Sequence, residues 1–297
     1  MNVRLRCLLV PLLLTSAALA ADPAMEKRVL FGAGSAKQWS PAESTIAASD
    51  ARTREGRPAL HWHVTVDHYV GEPKYPIGWP RISSSLREPA ERDWTGWDYL
   101  EMWVYADTSR PALPREAVGM AIYTPDKASA VNRTLSELVK GQWVRVRIPL
   151  TQVPRHQDVR MVQLNISESR YRHGDTLDVY IDEIALLRYA RPTLLEFAAE
   201  EAVAFADARQ VAVRFNLAGV KAGDAAEVVC ELRQAGQAVA TSKTKVMRGP
   251  HRVVLDLAKG NLPAGEYEIV ARIAGGDEAK APVRLVESPW TISEEKP

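Results

Sequence analysis

The sequence predicts an all-β chain made of two β-sandwiches in tandem. Short runs of alternating apolar and polar residues recur about every ten to fifteen residues, separated by Gly, Pro and Asp clusters. Only residues 136–140 have a helical pattern, and that segment is a single turn long. Aromatic residues are dense up to residues 189–192 and sparse after them, which places a domain boundary there.

The first predicted sandwich covers residues 26–190. Its strands alternate between an aliphatic face, which we expect to line the core, and a face that carries aromatic or amide side chains. The predicted strands are 59–67, 81–86, 99–106, 117–123, 143–150, 160–167 and 177–187.

The outward residues of these strands fall into two groups if successive strands alternate between two sheets. One sheet then exposes Arg81, Ser83, Tyr123, Gln163 and Asn165 side by side. The other sheet exposes Tyr99, Trp103, Tyr105 and Trp143, rings that we expect the second sandwich or loops to cover.

The second predicted sandwich covers residues 193–287 and has the strand spacing of an immunoglobulin-like or fibronectin-like module. Residues 288–297 form a polar tail. The predicted strands are 210–217, 227–234, 238–246, 252–257, 265–274 and 281–286.

The start of the chain, residues 1–20, has the pattern of a secretory signal peptide. Arg4 and Arg6 are basic, residues 7–14 are apolar, and 18–20 form a small-residue cleavage sequence. We therefore expect a secreted or periplasmic protein cleaved near Ala20. No later apolar run approaches the ~20 residues that cross a bilayer. Cleavage would leave Cys230 as the single cysteine, so no intramolecular disulfide is expected.

Charge and motif content exclude several functional classes. The chain has 38 basic and 37 acidic residues without charge blocks, which argues against nucleic acid or an anionic membrane as a partner. It contains neither a Gly-x-Ser-x-Gly nor a His-Glu-x-x-His motif. Nothing in the sequence singles out two carboxylates as the catalytic pair of a glycosidase. We therefore expect a non-catalytic protein without an organic cofactor.

Three segments carry a resemblance to a known fold family. They are 97–104 (WDYLEMWV), 143–150 (WVRVRIPL) and 180–184 (YIDEI). Together they resemble the galactose-binding-like jelly roll of the carbohydrate-binding-module type. Such jelly rolls occur in non-catalytic N-terminal regions of secreted bacterial glycoside hydrolase-like proteins. The resemblance implies a jelly roll over residues 26–190 and a glycan as ligand.

The same resemblance implies a candidate metal ligand. In these modules an acidic residue of the last strand often helps to hold a structural calcium ion, and Asp182 matches that position. Ca²⁺ takes six or more oxygen ligands, and the Asp182-Glu183 pair supplies too few. A buried carboxylate that caps backbone amides is an equal alternative.

A sugar site needs an aromatic platform and short, fixed hydrogen-bonding groups, because a buried hydroxyl without a partner is costly. Residues 71–81 contain prolines at 73, 76 and 80, which stiffen the loop around its aromatic residues. The alternatives are rings that cap the core and an ordinary solvated sheet face. The predicted ligand-binding residues are Tyr75, Trp79, Arg81, Tyr123, Gln163 and Asn165.

Three polar residues on one strand, His61, His63 and Asp67, share an outward face. Their spacing is compatible with a metal site, but neither Cys nor Glu completes it. We expect these side chains to be solvated.

These observations favour a secreted, non-catalytic carbohydrate-binding protein whose partner is a polysaccharide or other glycan. One alternative is a structural or protein-interaction module of the cell envelope, which would bind a partner enzyme or an envelope protein. Another is a fragment or relative of a glycoside hydrolase, since no catalytic-barrel pattern follows the sandwiches.

Overall fold

The computed structural model describes residues 24–70, 78–125, 129–257, 262–276 and 278–289. The predicted signal peptide and Tyr75 lie outside these ranges. Within them the chain is almost entirely β, so the all-β prediction is confirmed. No helix in the described part is long and apolar enough to span a membrane.

The first eleven strands precede residue 190. A short helix, α1 (Pro89–Arg92), and 3-10 helices at Ala33–Gln38, Leu150–Gln152 and Glu168–Arg170 connect them. The strands are β1 Met25–Gly32, β2 Ser40–Ala42, β3 Thr45–Arg54, β4 Arg57–Thr65, β5 Arg81–Ser85, β6 Tyr99–Thr108, β7 Gly119–Tyr123, β8 Ser129–Thr134, β9 Trp143–Pro149, β10 Met161–Asn165 and β11 Thr176–Tyr189.

These strands form two sheets over one core. Sheet I has the order β3-β4-β11-β6-β9, with β1 paired to the second half of the long β11. Sheet II has the order β2-β5-β10-β7-β8. The strands predicted to share a sheet, which correspond to β5, β7 and β10, are indeed neighbours in sheet II.

The core between the sheets follows from strand alternation. In β6, Leu100, Met102 and Val104 are buried while the residues between them are half-buried on the other face. Trp62 and Trp94 are fully buried in the same cluster. Each such side chain contributes about 1.5–3 kcal/mol by leaving water, so this core supplies the main driving force for folding.

Eight further strands build a second core after residue 190. A three-stranded sheet, β12-β14-β17, faces a five-stranded sheet, β13-β19-β18-β15-β16, in which β13 pairs parallel to β19. These strands are β12 Thr193–Ala199, β13 Val203–Phe205, β14 Gln210–Ala218, β15 Ala226–Gln234, β16 Gln237–Val246, β17 Gly249–Asp256, β18 Gly265–Ile273 and β19 Glu278–Val286.

The second core is separate from the first and runs from Leu194 to Leu285. Cys230 lies inside it as a free thiol. Burial raises the pKa of this thiol to about 11, so Cys230 behaves as a small apolar side chain rather than as a nucleophile.

Several strands lie outside the predicted ones, namely β1, β2, β3, β8, β12 and β13. Edge strand β3 shows the reason, since its sequence TIAASDARTR has no fully buried residue. An edge strand needs few core contacts, so alternation leaves little trace in its sequence. Residues 136–140 are not a helix: 136–137 form a turn, in which Leu138 N donates to the Leu135 carbonyl, and Lys140 makes a β-bridge with Ala106.

The two sandwiches meet at Asp98. This buried carboxylate accepts a hydrogen bond from Tyr189 N at 2.9 Å and one from Gly219 N at 3.3 Å. Its other oxygen lies 2.7 Å from Arg248 Nη2 of the second sandwich. A side chain at Gly219 would collide with the Arg191 carbonyl, since an added Cβ would lie 2.1 Å from that oxygen. The junction is therefore a specific polar contact and a close backbone approach.

Candidate functional site

The outward surface of sheet II brings together the five side chains that were predicted to lie side by side on one sheet. We call the set Arg81, Ser83, Tyr123, Gln163 and Asn165 the Gln163 face. Arg81 pairs with Asn165 and Ser83 pairs with Gln163, while Tyr123 pairs with Met161 on the other side of β10. Strand register thus fixes the spacing of these groups.

Gln163 is the unexpected member of the Gln163 face. Its position in β10 points the side chain away from the core, yet Gln163 is only 4% exposed. Its amide nitrogen has no hydrogen-bond partner among the described residues. A buried polar group without a partner costs about 1–3 kcal/mol. The centre of the face therefore contains a desolvated donor, which a ligand oxygen could satisfy once the side chains that cover it move aside.

Asn165 occupies space that Gly119 leaves open. The two residues are direct cross-strand partners, and a Cβ at Gly119 would lie 2.7 Å from Asn165 Oδ1. Any side chain at position 119 would push the Asn165 amide out of its position. Gly119 therefore belongs to the site, although the sequence pattern alone did not indicate it.

Trp79 stands at the end of the Gln163 face, just before β5, and is 45% exposed. The Arg81 guanidinium lies 5.1 Å from the centre of the indole ring, and Arg81 Nη1 donates to the Trp79 carbonyl at 3.2 Å. Trp79 N in turn donates to Glu43 Oε2 at 2.7 Å. Trp79 is therefore an anchored, solvent-exposed ring and does not cap the core.

Two carboxylates hold the backbone beside Trp79, and no sequence pattern indicated them. A Cβ at Gly78 would lie 2.4 Å from Glu43 Oε2 and 2.6 Å from Glu168 Oε2. Glu168 is 2% exposed and accepts a hydrogen bond from Asp67 N at 3.1 Å. Burial, with the nearby Glu43 charge, raises the pKa of Glu168 despite the backbone donors.

The sequence predicts Asp182 to be either a calcium ligand or a carboxylate that caps backbone amides. The structure surrounds it with arginines instead: Arg54 Nη1 lies 3.1 Å and Arg57 Nη2 2.8 Å from Asp182 Oδ2. Glu183 also pairs with Arg57, at 2.9 Å. Calcium needs six or more oxygen ligands, and cationic neighbours oppose its binding. The described residues around Asp182 do not fit calcium, and its carboxylate makes a buried ion pair.

The outward surface of sheet I carries a row of rings in register across four strands. His61, Tyr180, Tyr105 and Trp143 are successive cross-strand partners. The His61 and Tyr180 rings stack in parallel with centres 4.3 Å apart, and the Tyr105 and Trp143 centres are 5.8 Å apart.

The expectation that the second sandwich or loops cover the rings of sheet I is wrong for two of them. The Arg52 guanidinium lies 5.4 Å from the ring centre of Tyr105, and the Arg54 guanidinium lies 3.9 Å from that of Trp103. Both arginines come from the exposed edge strand β3. A guanidinium is attracted to the face of an aromatic ring, so these cation–π contacts shield the two rings without an apolar cover.

His61 and His63 share a carboxylate partner, but it is Asp178 rather than Asp67. Asp178 Oδ1 lies 2.7 Å from His61 Nε2 and 2.8 Å from His63 Nδ1. Burial alone would raise the pKa of Asp178, but the hydrogen bonds from His63 and His61 outweigh it and lower the pKa. Asp67 lies near His173 Nδ1 instead, at 3.4 Å.

A further concavity lies where Thr151 of the first sandwich approaches the three-stranded sheet of the second. It encloses about 700 Å³ and is lined by Arg214, Asn216, His251 and Arg252 among others. Arg252 already pairs with Glu200 at 2.7 Å. Two arginines of the lining, Arg214 and Arg252, thus already face a carboxylate outside it, that of Glu200.

Comparisons with known proteins give weak structural likenesses. No family model and no curated protein matches the chain. Among solved structures, the chain is similar to a beta-1,2-glucanase from Parabacteroides distasonis, with a TM-score of 0.38, 14% identity, and coverage of 84% of this chain and 37% of the glucanase.

Two carbohydrate-binding modules are also similar to the chain. One is a family 11 module from Clostridium thermocellum in complex with a beta-1,3-1,4-mixed-linked tetrasaccharide, with a TM-score of 0.34, 11% identity, and coverage of 54% of this chain and 94% of the module. The other is TmCBM27, a module described for mannan recognition, with a TM-score of 0.33, 14% identity, and coverage of 56% and 98%. At these TM-scores the likenesses decide neither the fold nor the ligand.

Proposed function

We propose that the chain is a secreted, non-catalytic carbohydrate-binding protein. Residues 26–190 form its ligand-binding jelly roll, and residues 193–287 form an immunoglobulin-like module that carries it. The ligand is a polysaccharide, and the Gln163 face with Trp79 is its binding surface. The observation that carries the proposal is the buried, unpartnered amide of Gln163 at the centre of that face.

The chemistry around Gln163 suits a sugar. A pyranose ring presents apolar C–H groups on its faces and hydroxyls at its rim. Trp79 offers an exposed ring for the apolar faces. Arg81, Asn165 and Gln163 offer charged or amide groups for the hydroxyls. Arg81, Gln163 and Asn165 stand on hydrogen-bonded strands, so little conformational entropy is lost when they bind.

The test is retardation of the protein in native gels that contain a polysaccharide, over a broad panel. We expect retardation with at least one glycan. Trp79→Ala and Tyr123→Ala should each weaken it at least about tenfold, since losing ~1.4 kcal/mol of binding free energy has that effect. Melting temperatures should stay close to that of the unaltered protein because both side chains are partly exposed.

Gln163→Met gives a sharper test because it keeps the side-chain volume and removes the unpartnered amide. We expect retardation to be lost while stability stays the same or rises, since an unsatisfied buried donor is gone. A purely structural role for Gln163 would instead lower the stability.

The matched control is Trp143→Ala, a ring of the opposite sheet. It should leave retardation unchanged. If Trp143→Ala loses retardation while Trp79→Ala and Tyr123→Ala keep it, the binding site lies on sheet I instead. Unchanged mobility with every polysaccharide would overturn carbohydrate binding and favour the protein-interaction module of the cell envelope.

A further inference from the structure

We propose that His61, His63 and Asp178 form a binding site for a divalent transition metal, with Zn²⁺ as the ion that fits best. The site lies on the outward surface of sheet I, and carbohydrate binding at sheet II does not require it. Among the described residues, this is the one group of three His, Cys, Asp or Glu side chains whose donor atoms all lie within 4.8 Å of one another.

Topology brings the three residues together. His61 and His63 are two residues apart in β4, so their side chains point to the same side of the sheet. Asp178 in β11 is the direct cross-strand partner of His63. Directly opposed residues have Cβ atoms about 4.5–5.5 Å apart, so the hydrogen-bonded ladder itself sets the spacing of the donors.

The donor atoms already converge on one point. Asp178 Oδ1 lies 2.7 Å from His61 Nε2 and 2.8 Å from His63 Nδ1. A tetrahedral zinc ion with bonds of about 2.0–2.1 Å holds its ligand atoms roughly 3.3 Å apart. The carboxylate therefore has to withdraw by about half an ångström to admit the ion. The side chains of His61, His63 and Asp178 are 25%, 37% and 31% exposed, which leaves them room to do so.

Neighbouring groups orient both imidazoles as a metal site requires. The second nitrogen of His63, Nε2, lies 3.2 Å from Thr65 Oγ1. When Nε2–H donates to that hydroxyl, the lone pair of Nδ1 is free and faces the cluster. The His61 ring lies flat on Tyr180, with the ring planes 3° apart. Such outer contacts fix the tautomer and orientation of metal-bound histidines.

The donor set selects the class of metal. Two imidazoles and one carboxylate suit zinc, copper, nickel and iron, whereas calcium and magnesium prefer oxygen ligands alone. Asp107, the cross-strand partner of Asp178 in β6, adds a second carboxylate nearby. The solvent-facing side of the cluster carries no fourth protein ligand among the described residues. That side is open to water or to an oxygen of a bound molecule, as in zinc sites with three protein ligands.

The experiment titrates the whole protein with Zn²⁺ by calorimetry and with Co²⁺ by visible absorption. We expect one ion per chain and the d–d bands of a Co²⁺ centre with imidazole ligands. His61→Ala, His63→Ala and Asp178→Asn should each weaken binding at least about tenfold, and Thr65→Val should weaken it less. Tryptophan fluorescence on heating verifies that each variant is folded, and polysaccharide retardation should not change.

The control is the double variant His68→Ala/His173→Ala, which removes the other histidine pair of this sandwich, whose ring centres are 6.1 Å apart. It should bind Zn²⁺ as the unaltered protein does. The assignment is overturned if the unaltered protein takes up no Zn²⁺, if the cluster variants bind it undiminished, or if only the control loses it. In the first case His61, Asp178 and His63 form no more than a hydrogen-bonded network.

Discussion

Glu168 shows how the surroundings of one residue set its chemistry. Its carboxyl is 2% exposed, and Oε2 has no hydrogen-bond partner among the described residues. Burial is the largest cause of its raised pKa, and the Glu43 charge adds to it. A carboxyl whose pKa is raised by folding stabilises the folded state most at pH below its ordinary value of 4.5. That contribution is lost as the pH rises through the folded-state pKa.

Glu168→Gln is therefore expected to stabilise the protein at neutral pH, by about 1 kcal/mol, because the amide carries no buried charge. It should also remove the decline in stability that begins above about pH 4.5. The measurement is urea unfolding at pH 4, 5.5 and 7, monitored by tryptophan fluorescence. Seven of the eight tryptophans precede residue 190, so the signal reports the first core.

The matched control for Glu168→Gln is Glu201→Gln, an exposed glutamate of the second sandwich. It should change neither the stability nor its pH dependence. A Glu168→Gln protein that is less stable than the unaltered one at pH 7 would show that the hydrogen bond from Asp67 N outweighs the cost of the buried charge.

At the scale of elements, the spacing between strands β7 and β10 shapes the proposed binding surface. Gly119 is the residue of β7 that faces Asn165. Because no Cβ projects from position 119, the Asn165 amide can lie flat across the neighbouring strand. A glycine inside a strand normally weakens it, so its presence here has a packing reason.

Gly119→Ala is expected to displace the Asn165 side chain, since the new Cβ would lie 2.7 Å from Oδ1. Losing one ligand hydrogen bond costs about 1 kcal/mol, or roughly a fivefold loss of polysaccharide affinity. Stability should change by less than about 1 kcal/mol, because alanine suits a strand better than glycine. Affinity gels and urea unfolding measure the two effects separately.

Gly96→Ala is the control for Gly119→Ala, because no atom lies within 4 Å of a Cβ built there. It should bind as the unaltered protein does. Equal binding by Gly119→Ala and the unaltered protein, together with a loss in Asn165→Ala, would mean that Asn165 can rotate aside without leaving the site.

At the scale of the whole molecule, Asp98 connects the two sandwiches. Its side chain is 6% exposed and that of Arg248 is 15% exposed, so the ion pair between them is largely buried. Arg248 Nη1 also donates to the Thr95 carbonyl. Removing one member of a buried pair leaves the other charge without compensation, which is more costly than the pair itself is stabilising.

Arg248→Ala is therefore expected to destabilise the protein by about 3 kcal/mol and to uncouple the two cores. Tryptophan fluorescence follows the first core, and far-ultraviolet circular dichroism follows both. The two unfolding transitions should separate in the variant. Arg252→Ala is the control, since its pair with Glu200 is exposed and an exposed ion pair adds little to stability. If the two unfolding transitions of Arg248→Ala coincide, the ion pair at the junction does not couple the unfolding of the two sandwiches.

The order of the amino acids alone is enough to predict the all-β class, the predicted strands of both cores and the sharing of a sheet by β5, β7 and β10. Alternation with a period of two carries this information, because a buried face requires apolar residues at every second position. Arg81, Tyr123, Gln163 and Asn165 could be grouped for the same reason. The exposed edge strand β3 could not be predicted, since few of its side chains enter the core.

What each polar group faces depends instead on the folded chain. Asp182 meets two arginines, and Asp178 rather than Asp67 meets His61 and His63. Those partners lie more than a hundred residues apart along the chain, and their pairing depends on strand register. The burial of Gln163 likewise depends on neighbours that only folding supplies. Period and composition describe a strand's own residues, whereas charge, coordination and desolvation depend on residues that folding brings from elsewhere in the chain.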